Sequence, residues 1–124
     1  MRDLILVAAG GAVGAAARHL ASKAAILLMP ATFPWGTYIV NITGCFAMGI
    51  VAGLAGSGSI SPSARTFVAT GILGGYMTFS AFGLEAQILL SNGRVPAALA
   101  YVFGQLILGL LGVYLGIAIG RRIG

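Results

Sequence analysis

Residues 74–82 read GGYMTFSAF, in the middle of a run that is otherwise apolar from about 66 to 90. A run of that length crosses a bilayer, which takes roughly 20 helical residues. Yet this one carries two adjacent glycines, with small hydroxyls at Thr78 and Ser80. Glycine costs a helix interior about 1 kcal/mol relative to alanine, so a pair at 74–75 predicts a break midway through the span. Backbone released from helical bonding at membrane depth is tolerated where it is buried in protein or lines a wet cavity. Freed carbonyls there suit a cation; freed N–H groups and hydroxyls suit an anion. Beyond the break, Phe79 and Phe82 share one face if the helix resumes. The edge of a phenyl ring is electropositive, so two rings turned edge-on stabilise an anion without the full desolvation cost of a buried charge. Taken alone, such a pair is ordinary packing. The break, the hydroxyls and an asparagine on another span favour the ion reading.

The rest of the chain has the same apolar character. Of its 124 residues, 59 % are hydrophobic and 7 % charged, with a mean hydropathy of +1.03. A soluble domain carries about 25 % charged residues and cannot hide that much apolar surface. The chain therefore reads as an all-α integral membrane protein forming a single transmembrane domain. Four segments are long enough to span: 4–29, 37–54, 66–90 and 96–119. The intervening PATFPW (30–35), GSGSISPSA (56–64) and SNGRVP (91–96) are short loops with no room for a soluble activity. Pro96 suits a first helical turn and Asn92–Gly93 the end of the preceding helix. Trp35 and Tyr38 fall where an interfacial aromatic belt sits. No cleavable leader is read, because the apolar run continues past any cleavage point. The single Cys45 excludes an intramolecular disulfide and reads as a small buried side chain.

The net charge of +5 does not point to nucleic acid. The basic residues are scattered singly, apart from Arg121–Arg122, with no basic stripe interleaved with aromatics; they read as anchors at the headgroups. Four spans put both termini and the second loop on one side, with Arg2, Arg65, Arg121 and Arg122. The other side has Arg94, with Arg18 and Lys23 towards the end of the first span. So even a balance permits insertion in both orientations. Glycine supplies 20 residues, and Gly10/Gly14, Gly49/Gly53, Gly71/Gly75 and Gly112/Gly116/Gly120 repeat at i, i+4. Small-xxx-small faces let helices approach closely in lipid. Four helices enclose little interior, so some of these faces are expected to meet a second subunit.

Polar groups within membrane spans are functional candidates by default. Asn41 offers two N–H donors, which suits an anion; an interhelical hydrogen bond is the other reading, and both stay open. Glu85 is the one carboxylate away from the termini. It serves either as a coupling site or as a group at a wet vestibule, paired with a hydroxyl or a base, and Arg18 is a candidate base. Arg18 either snorkels outward or draws anions into that vestibule. Thr43, Gln87, Tyr101 and Gln105 complete the polar set, while His19, at the span's end, suits an interface. Enzymatic readings fail: there is no nucleophile–base pair and no carboxylate pair. The glycine-rich AAGGAVGAAAR at 8–18 lacks the preceding strand of a dinucleotide fingerprint.

Three stretches, GGAVGAAARH at 10–19, PWGTYIVNITGCFAMG at 34–49 and GGYMTFSAF, make the chain resemble the Fluc (CrcB) fluoride channels over essentially its whole length. The resemblance implies four-helix subunits, the third helix broken, in an antiparallel dual-topology homodimer with two fluoride pores. It implies a multi-pass protein of the cell inner (plasma) membrane, with fluoride and a second copy as partners. A structural sodium ion at the dimer centre would take the carbonyls of Gly74 and Met77. The family's pore phenylalanines match Phe79 and Phe82, and its pore asparagine matches Asn41. Ser80 matches part of a polar track, with Thr78, Tyr101 and Glu85 at related positions, and Arg18 matches the first-helix arginine of the vestibule. Two departures stand out: Met77 and Ala81 replace the usual threonines. A methionine at 77 keeps its carbonyl, whereas alanine at 81 removes a hydroxyl from the track. The implied activity is passive export of fluoride. The rival is a small proton-coupled multidrug exporter, which needs a carboxylate in the first span, where this chain has Arg18. A non-transporting subunit of a larger complex would need none of the pore features.

Overall fold

The computed structural model describes all of residues 1–124. It is helical from end to end: α1 (Arg2–Leu28), α2 (Trp35–Gly56), α3 (62–76), α4 (Phe79–Ser91) and α5 (Val95–Ile123). Helices α1, α2 and α5 are each long and apolar enough to cross a membrane, and α3 with α4 makes the remaining span, Pro62–Ser91. That span begins earlier than the hydropathy suggests. Ser61 caps it, its hydroxyl accepting the Ala64 N–H at 3.1 Å, and Pro62 takes the first turn, where its missing N–H costs nothing.

The interruption in the third span falls at Met77 and Thr78, after the glycine pair rather than at it. Gly74 and Gly75 stay helical. Gly75 is there for proximity: a Cβ on it would lie 2.6 Å from the Gly11 carbonyl oxygen. The helix stops because Thr78 turns extended (φ −148, ψ 120) and its hydroxyl starts α4, accepting the Ala81 N–H at 3.2 Å. A second irregularity has no counterpart in the sequence pattern. Thr66–Leu73 is wound as a π-helix, and the Gly74 N–H that closes it reaches the Ala69 carbonyl.

Two glycine seams hold the four spans together. Gly10 and Gly14 of α1 face Gly71 and the Ile72–Tyr76 backbone of α3, and a Cβ on Gly14 would sit 1.9 Å from the Ile72 oxygen. Gly49 and Gly53 of α2 face Gly116 and Gly120 of α5, where a Cβ on Gly49 would lie 2.4 Å from the Val113 oxygen. The expectation that some of these faces meet a second subunit is therefore corrected. Every i, i+4 repeat, Gly112 included, abuts another helix of the same chain. Packing by small residues replaces a bulky interior, since lipid supplies no hydrophobic drive between helices. The one cluster of larger side chains, Leu89 and Tyr101 with Ala86 and Ala98, forms where α4 leans on α5.

The ends are tied by the loops. Arg2 donates to the Ser63 hydroxyl in the first turn of α3, tying the N-terminus to the end of the second loop, and Arg94 donates to the Thr32 carbonyl, joining the third loop to the first. The termini and the second loop thus share one end of the bundle.

Candidate functional site

Gly44, where a Cβ would lie 2.3 Å from the Met77 side chain, lets α2 approach the interruption in the third span and brings Asn41 close to it. Its side chain is fully engaged there. The Thr78 N–H donates to Asn41 Oδ1 at 2.9 Å, and Asn41 Nδ2 donates to the Thr78 carbonyl at 3.0 Å and to Gln105 Oε1 at 2.9 Å. An amide turned the other way would set its oxygen against two oxygens, so its orientation is determined. The interhelical bond is thus present, made to exposed backbone rather than to another side chain alone.

This clamp has a consequence for the carbonyls. In an unbroken helix the Thr78 N–H would close onto Gly74 and the Ala81 N–H onto Met77. Here the first goes to Asn41 and the second to the Thr78 hydroxyl. The carbonyls of Gly74 and Met77 are left without a backbone donor, and Gly74 is exposed. Neutral carbonyl oxygens released in this way are the donors that a dehydrated alkali cation takes. The residues present fit such an ion, since a methionine at 77 presents the same backbone carbonyl that a threonine would.

Beside the clamp lies an open cleft of about 280 Å³, bordered by Asn41, Met77, Thr78, Phe79, Phe82 and Gln105, with Cys45 and Leu106 completing the wall. The resumed helix does put the two phenylalanines together, ring centres 5.5 Å apart. They differ in setting: Phe79 is 81 % exposed, whereas Phe82 stacks on Tyr101 at 5.7 Å and 25°. Ser80 is exposed and outside the cleft wall, its hydroxyl 3.2 Å from that of Thr78. Cys45 is half-buried in that wall rather than sealed in the membrane interior.

Glu85 is held by hydroxyls. Thr37 donates to Oε1 at 3.0 Å and Tyr101 to Oε2 at 2.5 Å. The pairing with Arg18 is not what the chain adopts; Arg18 sits half-buried on α1 and borders neither the cleft nor the cavity next described. Glu85 also borders a cavity of about 230 Å³ under the first loop, with Ser22, Trp35 and Thr37. Two participants escaped the sequence reading. In the sequence Thr37 marks only the start of the second span, and Gln105 is one of several polar residues. A helical projection that puts Gln105 one turn after Tyr101 was the available signal.

The profile of the family described as "CrcB-like protein, Camphor Resistance (CrcB)" matches residues 5–117. The chain belongs to the CrcB family. Among curated members of the family, the "Fluoride-specific ion channel FluC" of Chelativorans sp. (strain BNC1) is 44 % identical over 124 residues, covering 99 % of both chains. The protein of the same name from Rhizobium meliloti (strain 1021) is 42 % identical over 122 residues, 98 % of each. That of Methylobacillus flagellatus (strain ATCC 51484 / DSM 6875 / VKM B-1610 / KT) is 45 % identical over 118 residues, 94 % of this chain and 92 % of its own. The CrcB chain described here is thus a multi-pass membrane protein whose likeness to these channels runs from end to end.

Proposed function

We propose that this protein is a fluoride-selective channel that lets the ion leave the cytoplasm passively across the inner membrane. The observation that carries the reading is the meeting of Asn41, Thr78, Phe79 and Phe82 around one cleft in a full-length relative of fluoride channels. The chemistry is suitable. Helix α4 begins at this cleft, so the positive end of its backbone dipole and its unpaired first N–H groups are there. The phenyl edges add further weak positive potential, and the Thr78 hydroxyl borders the cleft, with that of Ser80 3.2 Å from it. Several modest donors admit an ion and still release it, which conduction requires. Glu85 and Tyr101, bonded to each other, stand at the vestibule side of Phe82.

The channel is an antiparallel homodimer in this proposal, supported by the near balance of basic residues between the two ends and by the exposure of Phe79. A sodium ion between the copies would take the Gly74 and Met77 carbonyls, two from each copy; when bound it supplies a fixed positive charge at the centre. An exporter is disfavoured: the first span carries no carboxylate beyond Asp3, and Glu85 is engaged by two hydroxyls.

The test is fluoride release from liposomes holding the purified protein, read with a fluoride electrode, voltage set by a potassium ionophore, beside chloride-loaded vesicles. Rapid loss of fluoride with chloride retained is expected. Retention of fluoride by folded protein would overturn the reading.

A further inference from the structure

We propose that Gln105 is a positioning residue: its amide oxygen holds Asn41 against Thr78 and so maintains the interruption in the third span. Three observations carry this. Gln105 is buried, 7 % exposed, although it carries a full amide. Its own orientation is set within α5, where Nε2 donates to the Tyr101 carbonyl one turn back at 3.3 Å. Its Oε1 then faces the one Asn41 N–H that Thr78 does not use, at 2.9 Å.

The arrangement is selective. Asn41 Nδ2 meets two acceptor oxygens, one on the broken backbone and one on a different helix, and Oδ1 meets the Thr78 N–H. Without the Gln105 oxygen, an N–H at the cleft wall is left to seek water, and the amide can swing away from Thr78. The Thr78 N–H then loses its fixed acceptor, and the interrupted backbone at 77–78 opens more often to water instead of being held in one conformation. Gln105 therefore acts through Asn41 on the backbone, with no ion contact required. The consequence for ion flux rests on the channel reading; the effect on the backbone does not.

Hydrogen exchange of the full-length protein in detergent, followed by mass spectrometry of peptides covering 74–82, separates the two. In Gln105→Leu, exchange at this segment is expected to be roughly fivefold faster, about the factor one net hydrogen bond is worth, with peptides from 106–119 unchanged. Gln105→Glu keeps the acceptor for Asn41 but sets its second oxygen against the Tyr101 carbonyl, so it is expected to recover part of the protection, between the native protein and Gln105→Leu, while its charge lowers fluoride flux. In an Asn41→Leu background, Gln105→Leu is expected to add nothing. Should the leucine variant not assemble, Gln105→Met takes its place. Unchanged protection in Gln105→Leu, equal acceleration throughout the chain, equal acceleration in Gln105→Glu, or additive effects with Asn41→Leu would each overturn the proposal.

Discussion

Asn41 uses both amide hydrogens and its oxygen on neighbours that cannot be exchanged for one another. Asn41→Asp replaces a donor by a charged acceptor that faces the Thr78 and Gln105 oxygens. Two attractive contacts become repulsive, and fluoride release in the liposome assay is expected to fall by more than about tenfold, since even one such contact is worth 1–3 kcal/mol. Glu85 makes the complementary case. Glu85→Leu leaves the hydroxyls of Thr37 and Tyr101 without their acceptor where they are 7 % and 0 % exposed. That is expected to cost about 1–3 kcal/mol for each hydroxyl, seen as a lower unfolding midpoint in detergent. Glu85→Gln, whose amide oxygen still accepts, is expected to lose less.

Among the elements, the glycine seams set the tolerances. At Gly14 an added Cβ meets the Ile72 oxygen at 1.9 Å, while at the adjacent turn position Gly11 it meets nothing within 4 Å. Gly14→Ala is therefore expected to destabilise by about 1–3 kcal/mol or more, and Gly11→Ala to be neutral or to gain up to about 1 kcal/mol from helix propensity; thermal unfolding of the two variants checks the contrast. How far these features were legible differs by element. The four spans and the interrupted third were readable because hydropathy and glycine report on a segment by itself. The site of the interruption was not, because Gly74–Gly75 also serves the seam with α1, and it is Thr78, taken up by Asn41 from another helix, that ends α3. For the same reason the seams were readable as close approaches but not as to partner. Charge alone suggested Arg18 for Glu85; the register between α2, α4 and α5 brings Thr37 and Tyr101 there instead. Nothing in the residues of 66–73 announces the π winding.

For the whole molecule, the seams leave the outer surface to larger side chains, Phe79 and Leu106 among them. If two copies insert in opposite senses, a cysteine introduced near the C-terminus as Arg122→Cys, with Cys45→Ala, is expected to label about half from outside sealed vesicles. Labelling wholly from one side would fix a single orientation. Replacing sodium by a bulky organic cation is expected to slow fluoride release if the Gly74 and Met77 carbonyls hold the ion, with the Asn41 clamp left intact; release indifferent to the cation would argue for a different occupant of those carbonyls.

The chain has a single tryptophan, and Trp35 lies in the wall of the cavity that Glu85 borders, 4.7 Å from Phe33 and 5.7 Å from Tyr38. The unaltered protein thus carries one indole fluorophore at that mouth, and no dye or engineered label is needed to watch it. Its emission colour follows the polarity around the indole, so the same cuvette that holds the protein can report changes in the surroundings of that cavity.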